Sequence, residues 1–230
     1  MKERFQRYAI YWTPIPDSPA AQFAALWFGG IEIFGLAPDL AGRAIKSPAA
    51  YGLHATLKAP FRLRDDVEPE ALQEALDGFC EKRRPPAAAP LTPGHFQRYV
   101  TLVLKDRKAE IDWLAEECVT HFDRYRAALN DEDRSRREID GMSVRQAAFL
   151  EQFGYPYVLS EFRFHISIAG PLVRAELDEV AQALAPHLRS VMAEPLLIED
   201  LTLLGEPQGG GTFQPLSRHR FGKKRATGPA

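Results

Sequence analysis

Two histidines in this sequence sit in nearly the same eight-residue frame. HATLKAPF begins at His54 and HISIAGPL begins at His165, about half the chain later. Each frame carries a small hydroxyl two residues after the histidine (Thr56, Ser167), then a branched aliphatic (Leu57, Ile168). Each also has proline at the seventh place (Pro60, Pro171) and a large apolar residue at the end (Phe61, Leu172). Imidazole is the side chain that gains and loses a proton near neutral pH, so a pair can serve as base and acid in one reaction. The hydroxyls that accompany them are donors suited to phosphate oxygens. A metal centre is the competing reading, but zinc and hard-metal sites need three or four ligands that include carboxylates or thiolates. Neither frame contains Asp, Glu or Cys, and the chain has no HExxH or HxH. The expectation is metal-free and cofactor-free phosphoester chemistry. One neutral imidazole takes a proton from the attacking group while the other, protonated, gives one to the departing oxygen. Thr56 and Ser167 are the expected donors to the non-bridging oxygens. Each ring also needs its second nitrogen oriented by a carbonyl or carboxylate. Lys58 and Arg163 are candidate substrate cations, with solvated surface cations as the alternative.

Chemistry of this kind needs both frames on strands. In the first, His54, Thr56 and Lys58 alternate with Leu53, Ala55, Leu57 and Ala59; in the second, His165 and Ser167 alternate with Phe164, Ile166 and Ile168. Period-two alternation puts histidine and hydroxyl on one face and the apolar residues on the other. The surroundings repeat as well, because each frame is followed by a helical pattern and two further strands. After the first come the stripe Ala71, Leu72, Ala75, Leu76 and Phe79 and then strands near Leu91 and over 99–104. After the second come VRAELDEVAQALAPHL and then strands over 196–204 and 213–221.

Ahead of the first frame, 8–12 reads as a strand. Ser18 or Asp17 caps a helix with Pro19 in its first turn. Residues 31–50, poor in periodicity, read as a long surface loop. Between the frames, 108–130 reads as one amphipathic helix, the charged run DEDRSRRE as solvated surface, and Ser143 with Gln146 as a capping box. His95 reads as a turn residue, His121 and His187 as helix residues, and His219 as structural. Gly209–Gly211 reads as a hairpin turn rather than a phosphate loop. The chain is thus expected to be one bilobal domain over 1–230. A first lobe is centred on 51–106, a helical insert covers 107–155, and a second lobe is centred on 156–221, with a disordered tail over 222–230.

Composition narrows the partners. A formal net charge of −2 argues against duplex DNA, whose binders carry a basic surface. A small phosphorylated substrate or a short RNA end stays open. The N-terminal segment lacks the long apolar stretch of a signal peptide, and no run approaches the roughly 18 apolar residues of a membrane span. Cys80 and Cys118 lie in helical patterns without CxxC spacing, as reduced thiols of a cytoplasmic protein would.

Two copies of H-x-[ST]-[LI] on equivalent strands resemble the two-histidine (2H) phosphoesterases, the superfamily of 2′-5′ RNA ligase-like and cyclic phosphodiesterase proteins. RYAIYW, YGLHATLKAPFRL and FGYPYVLSEFRFHISIAGPL resemble more closely the bacterial branch encoded beside phosphonate-utilisation genes. The resemblance implies an α+β fold of two pseudo-symmetric lobes, with antiparallel sheets lining a central cleft and helices outside. It implies His54 and His165 as acid and base, and Thr56 and Ser167 as phosphate-binding hydroxyls. The activity it implies is hydrolysis of a cyclic phosphate on a ribose-containing small molecule. A cyclic phosphodiesterase or ligase acting on RNA ends is the alternative within enzymes, and a non-catalytic binder of a phosphorylated ligand the alternative outside them.

Overall fold

The computed structural model describes residues 5–30, 32, 34–137 and 141–222. Seven strands form one antiparallel sheet: β1 (Arg7–Trp12), β2 (Ala55–Phe61), β3 (Leu91–Phe96), β4 (Tyr99–Leu104), β5 (His165–Ala169), β6 (Asp200–Glu206) and β7 (Gln214–Arg220). Their order across the sheet is β3-β4-β5-β2-β1-β6-β7. The fold is α+β, as the sequence suggests, and the two motif strands β2 and β5 are neighbours at its centre.

Pairing crosses the two halves of the chain. The hairpin β3–β4 that follows β2 in sequence adds to β5, while β6–β7, which follows β5, adds to β1 beside β2. The half-sheets meet at a single paired position, Ala55 opposite Ile166. β5 is therefore held directly by a hairpin from the first half of the sequence, and β2 is linked to the hairpin from the second half through β1.

Alternation along β1 sorts the faces. Tyr8, Ile10 and Trp12 join the main apolar core, whereas Ala9 and Tyr11 form a second small cluster with Leu204 and Phe213 on the opposite face. The core side is covered by α1 (Pro19–Phe28), α3 (Pro69–Glu81), α4 (Ala109–Phe122) and α7 (Arg174–Val191), whose buried stripes include Trp27, Leu72, Leu76, Ile111, Cys118, Val180 and Leu184. Ser18 caps α1, its Oγ accepting from the Ala21 amide. The Ser143–Gln146 capping box opens α6 (Val144–Phe153). Cys80 and Cys118 are buried free thiols, and burial pushes both up, Cys80 to about 12.

Four local expectations are corrected. Residues 38–49 of the expected loop form α2 (Pro38–Ala49). Pro38 starts it in the favoured first turn, and its buried stripe of Leu40, Ala41, Ala44 and Pro48 is mostly too small to register as periodic hydrophobicity. The helix expected over 108–130 ends at Phe122, because Arg126 is drawn into a bridge with Leu63. The charged run is not wholly solvated. It forms the short helix α5 (Asp131–Ser135), in which Asp133 is buried and accepts from Arg62 at 2.7 Å. His95 lies in β3 rather than in a turn. The glycines 209–211 lie in the connection between β6 and β7, a hairpin as expected. The tail beyond Gly222 lies outside the described residues.

Candidate active site

The two histidines are anchored in the same way. Nδ1 of His54 lies 2.8 Å from the Gly52 carbonyl, and Nδ1 of His165 lies 2.8 Å from the Arg163 carbonyl, each partner two residues back. A carbonyl only accepts, so both rings carry their proton on Nδ1 when neutral. That leaves Nε2 with a lone pair to receive a proton and, once protonated, a bond to donate. At the first site the geometry needs Gly52, whose φ of +69° is one that side chains rarely adopt.

Register brings the four motif residues together. The strands run antiparallel through Ala55 and Ile166, which sets Thr56 opposite His165 and His54 opposite Ser167. Facing residues in such a pair have Cβ atoms roughly 5 Å apart. Each imidazole thus has the hydroxyl of the other strand as its neighbour. All four side chains line one cleft of about 570 Å³, a volume suited to a ligand of nucleotide size.

The rings differ in their surroundings. His54 stacks on Tyr11 at 4.1 Å between centroids, with Tyr51 at 5.8 Å on a tilted approach. His165 stacks on Phe96 at 4.4 Å. Burial disfavours the charged form of both. It holds His54 down to about 4, with His165 adding to the lowering, and brings His165 below its ordinary value.

Lys58 is not at the site, which corrects the expectation. Thr56 pairs with Tyr11 but Lys58 already pairs with Ile10, so Leu57 is an extra residue and the strand bulges there. A bulge reverses the alternation. Lys58 consequently points into the core side, 3 % exposed, where Nζ donates to the Val119 carbonyl at 3.1 Å and faces Asp123 at 3.5 Å. Burial lowers its pKa to about 8. Arg163 is drawn aside too. Its Nη1 donates to the Ser160 and Phe162 carbonyls, and it does not line the main cleft but an adjoining void of about 20 Å³ that shares Thr56 and His165 with it.

The cations that line the cleft are Arg7, Arg136 and Arg137. Arg7 is locked to Glu206 through two bonds of 2.5 and 2.8 Å. Arg137 donates to the backbone carbonyls of Pro60 and Gly154 and lies over the Tyr155 ring at 5.7 Å. Arg7 was within reach of sequence reasoning, since it shares strand parity with Tyr11. Arg137 was not, because an arginine in a charged run carries no periodic signal. His219 lies elsewhere, buried between Ser217 at 2.7 Å and Asp77 at 2.5 Å. Among the described residues, no three His, Cys, Asp or Glu side chains gather as a metal site, and no helix is long and apolar enough to cross a membrane.

A family model described as "Protein of unknown function (DUF1045)" matches residues 56–214. The chain is 33% identical over 233 residues to a protein of Janthinobacterium sp. (strain Marseille) named ribose 1,5-bisphosphate phosphokinase PhnN, covering 95% of this chain and 51% of that protein. A second protein of that name, from Laribacter hongkongensis (strain HLHK9), is 27% identical over 90% of this chain and 50% of its own length. The chain spans about half the length of the curated relatives it matches. Among solved structures, E. coli LigT complexed with NADP+ aligns with a TM-score of 0.48 and 16% identity, over 96% of this chain and 100% of that one. Kluyveromyces marxianus Usb1 aligns with a TM-score of 0.41 and 12% identity, over 93% and 99%.

Proposed function

We propose, for a chain that belongs to the family of unknown function DUF1045, that the cleft hydrolyses a phosphodiester by acid–base catalysis between its two histidines. The preferred substrate is a cyclic phosphate on a ribose-containing small molecule. The observation that carries this reading is the mirrored pair of rings. Each has Nδ1 fixed by a carbonyl, and each faces the hydroxyl of the opposing strand.

In the reaction, Nε2 of one neutral histidine removes a proton from water as its oxygen bonds to phosphorus. The ester P–O bond breaks, and the other histidine, protonated on Nε2, gives its proton to the departing sugar oxygen. The product is an open phosphomonoester, and the two rings have exchanged protonation states. Thr56 and Ser167 donate to the non-bridging oxygens, where charge builds up in the transition state. His54, the ring held further toward neutrality, is the base, and His165 is the acid.

The phosphonate context is a weaker support, drawn from the names of the half-matched relatives and from the motif resemblance. The formal net charge of −2 favours a small substrate over long RNA. The test is turnover of cyclic ribose phosphates beside oligonucleotides ending in 2′,3′-cyclic phosphate, both with chelator present. Preference for the sugar phosphates supports the proposal, and preference for the oligonucleotides moves the substrate to RNA ends. Binding without turnover of either makes the protein a phosphoryl-ligand binder, and activity abolished by chelator overturns the metal-free mechanism.

A further inference from the structure

The cleft carries a positive charge, on Arg137, that no carboxylate among the described residues neutralises. Arg7 is neutralised by Glu206 in a two-pronged pair, and Arg136 is paired with Glu132 one helical turn away. Arg137 has no carboxylate within ion-pair distance among the described residues; its bonds go to two backbone carbonyls. The nearby Asp133 is engaged by Arg62. Burial, and after it the neighbouring Arg7, work against the charge on Arg137. A half-buried guanidinium beside another one is unfavourable unless an anion joins them. Two of its five donors are used, and the rest are available to an acceptor in the cleft.

We infer that Arg137 forms a second phosphate subsite, so that the substrate is a phosphodiester whose sugar carries a separate phosphate monoester. This rests on the phosphodiesterase reading of the same cleft. Arg137 is bonded to the Pro60 carbonyl, four residues beyond Thr56 on β2. Strand rise puts those backbone positions up to about 13 Å apart, so a second phosphate held by Arg137 belongs to the far end of the sugar rather than beside the first. The Tyr155 phenol, pushed up by burial to about 12, stays protonated and lines the same stretch. Guanidinium forks bind phosphate in two-pronged fashion, so Arg137 would determine specificity, and the histidines would act on the other phosphorus.

The experiment is calorimetric titration with adenosine 2′-monophosphate and adenosine 2′,5′-bisphosphate at fixed ionic strength, using the full chain. Neither ligand can be turned over as a cyclic ester. Wild-type protein should bind the bisphosphate at least tenfold more tightly, and Arg137→Gln should bring that preference below threefold. Arg137→Lys, which keeps the charge and loses the fork, should fall between them. Equal wild-type affinities overturn the subsite without recourse to any variant. A preference that survives intact in a folded Arg137→Gln, checked by its melting curve, overturns the assignment to Arg137. Failure of every cyclic ester to react, with the preference intact, counts against the phosphodiesterase reading alone and leaves the second subsite standing.

Discussion

The two histidine strands carry the same frame and the same anchoring bond, yet they present their rings differently. At β2, His54 has tyrosine rings at 4.1 and 5.8 Å, while at β5 His165 has a single stacked phenylalanine at 4.4 Å. The strand backbones break alike: Leu57 is the extra residue of β2 against β1 and Ile168 the extra residue of β5 against β4, each just after the hydroxyl, and in β2 the bulge sends Lys58 to the core. The frame fixes which nitrogen is free, and the neighbours contributed by β1, the turn after α2 and the β3–β4 hairpin fix how readily that nitrogen holds a proton. Pseudo-symmetry thus supplies a matched pair, and in the proposed mechanism its imperfection is what divides base from acid.

The harshest way to break the comparison is to remove a ring. His54→Ala or His165→Ala should each lower kcat by about 10²–10⁴. The double substitution should cost far less than the product of the two, since the rings act as one unit. The pH profile tells the strands apart. In residual activity, His165→Ala should keep an acidic limb near pH 4, set by His54, and His54→Ala should lose it. Loss of that limb from the wrong variant reverses the assignment of base and acid. Single substitutions that multiply independently would show that the histidines do not share one phosphate.

A smaller effect is expected from the hydroxyls. Thr56→Ala and Ser167→Ala each remove one donor to a phosphate oxygen, for which about 10² in kcat is the expected scale. Proton transfer is untouched, so the pH profile should keep its shape while its height falls. Thr56→Ser, which retains the hydroxyl, should be mild. A changed pH profile in Ser167→Ala would mean that the hydroxyl tunes the facing His54 rather than the substrate.

What could be read in the sequence was what depends on local pattern. Histidine and hydroxyl two apart on alternating strands, the Ser18 cap and the Ser143–Gln146 box are each set by neighbours along the chain. Lys58 was misplaced because a bulge is settled by the partner strand β1, and strict alternation has no term for it. The helix over 38–49 was missed because a stripe of alanines buries little and registers little. The carbonyls of Gly52 and Arg163 could not be picked out, since any backbone would serve. Arg137 reaches the cleft through tertiary contacts to Pro60 and Gly154, which a charged run does not announce.

The smallest expected effect concerns stability, and it sharpens the comparison without any substrate. His54 titrates near 4 in the folded protein, while an unfolded histidine titrates near 6.5. Between those values the unfolded chain binds more protons, so stability rises with pH across the window and falls as pH drops from 6.5 toward 4. The ring's share is on the order of 2–3 kcal/mol at the low end, using about 1.4 kcal/mol per unit of difference. His165 is lowered for the same reason and contributes in the same direction. Urea unfolding at intervals from pH 7 to pH 4 should therefore show a midpoint that declines in the wild type. The decline should be distinctly shallower in His54→Gln. That variant also loses the bond to Gly52, so its midpoint at pH 7 will differ, and the slope with pH is the quantity to compare. His165→Gln should flatten the slope less. Equal flattening by the two variants would mean that the tyrosine walls of His54 do nothing the single phenylalanine of His165 does not, and the asymmetry on which the division between base and acid rests would be gone.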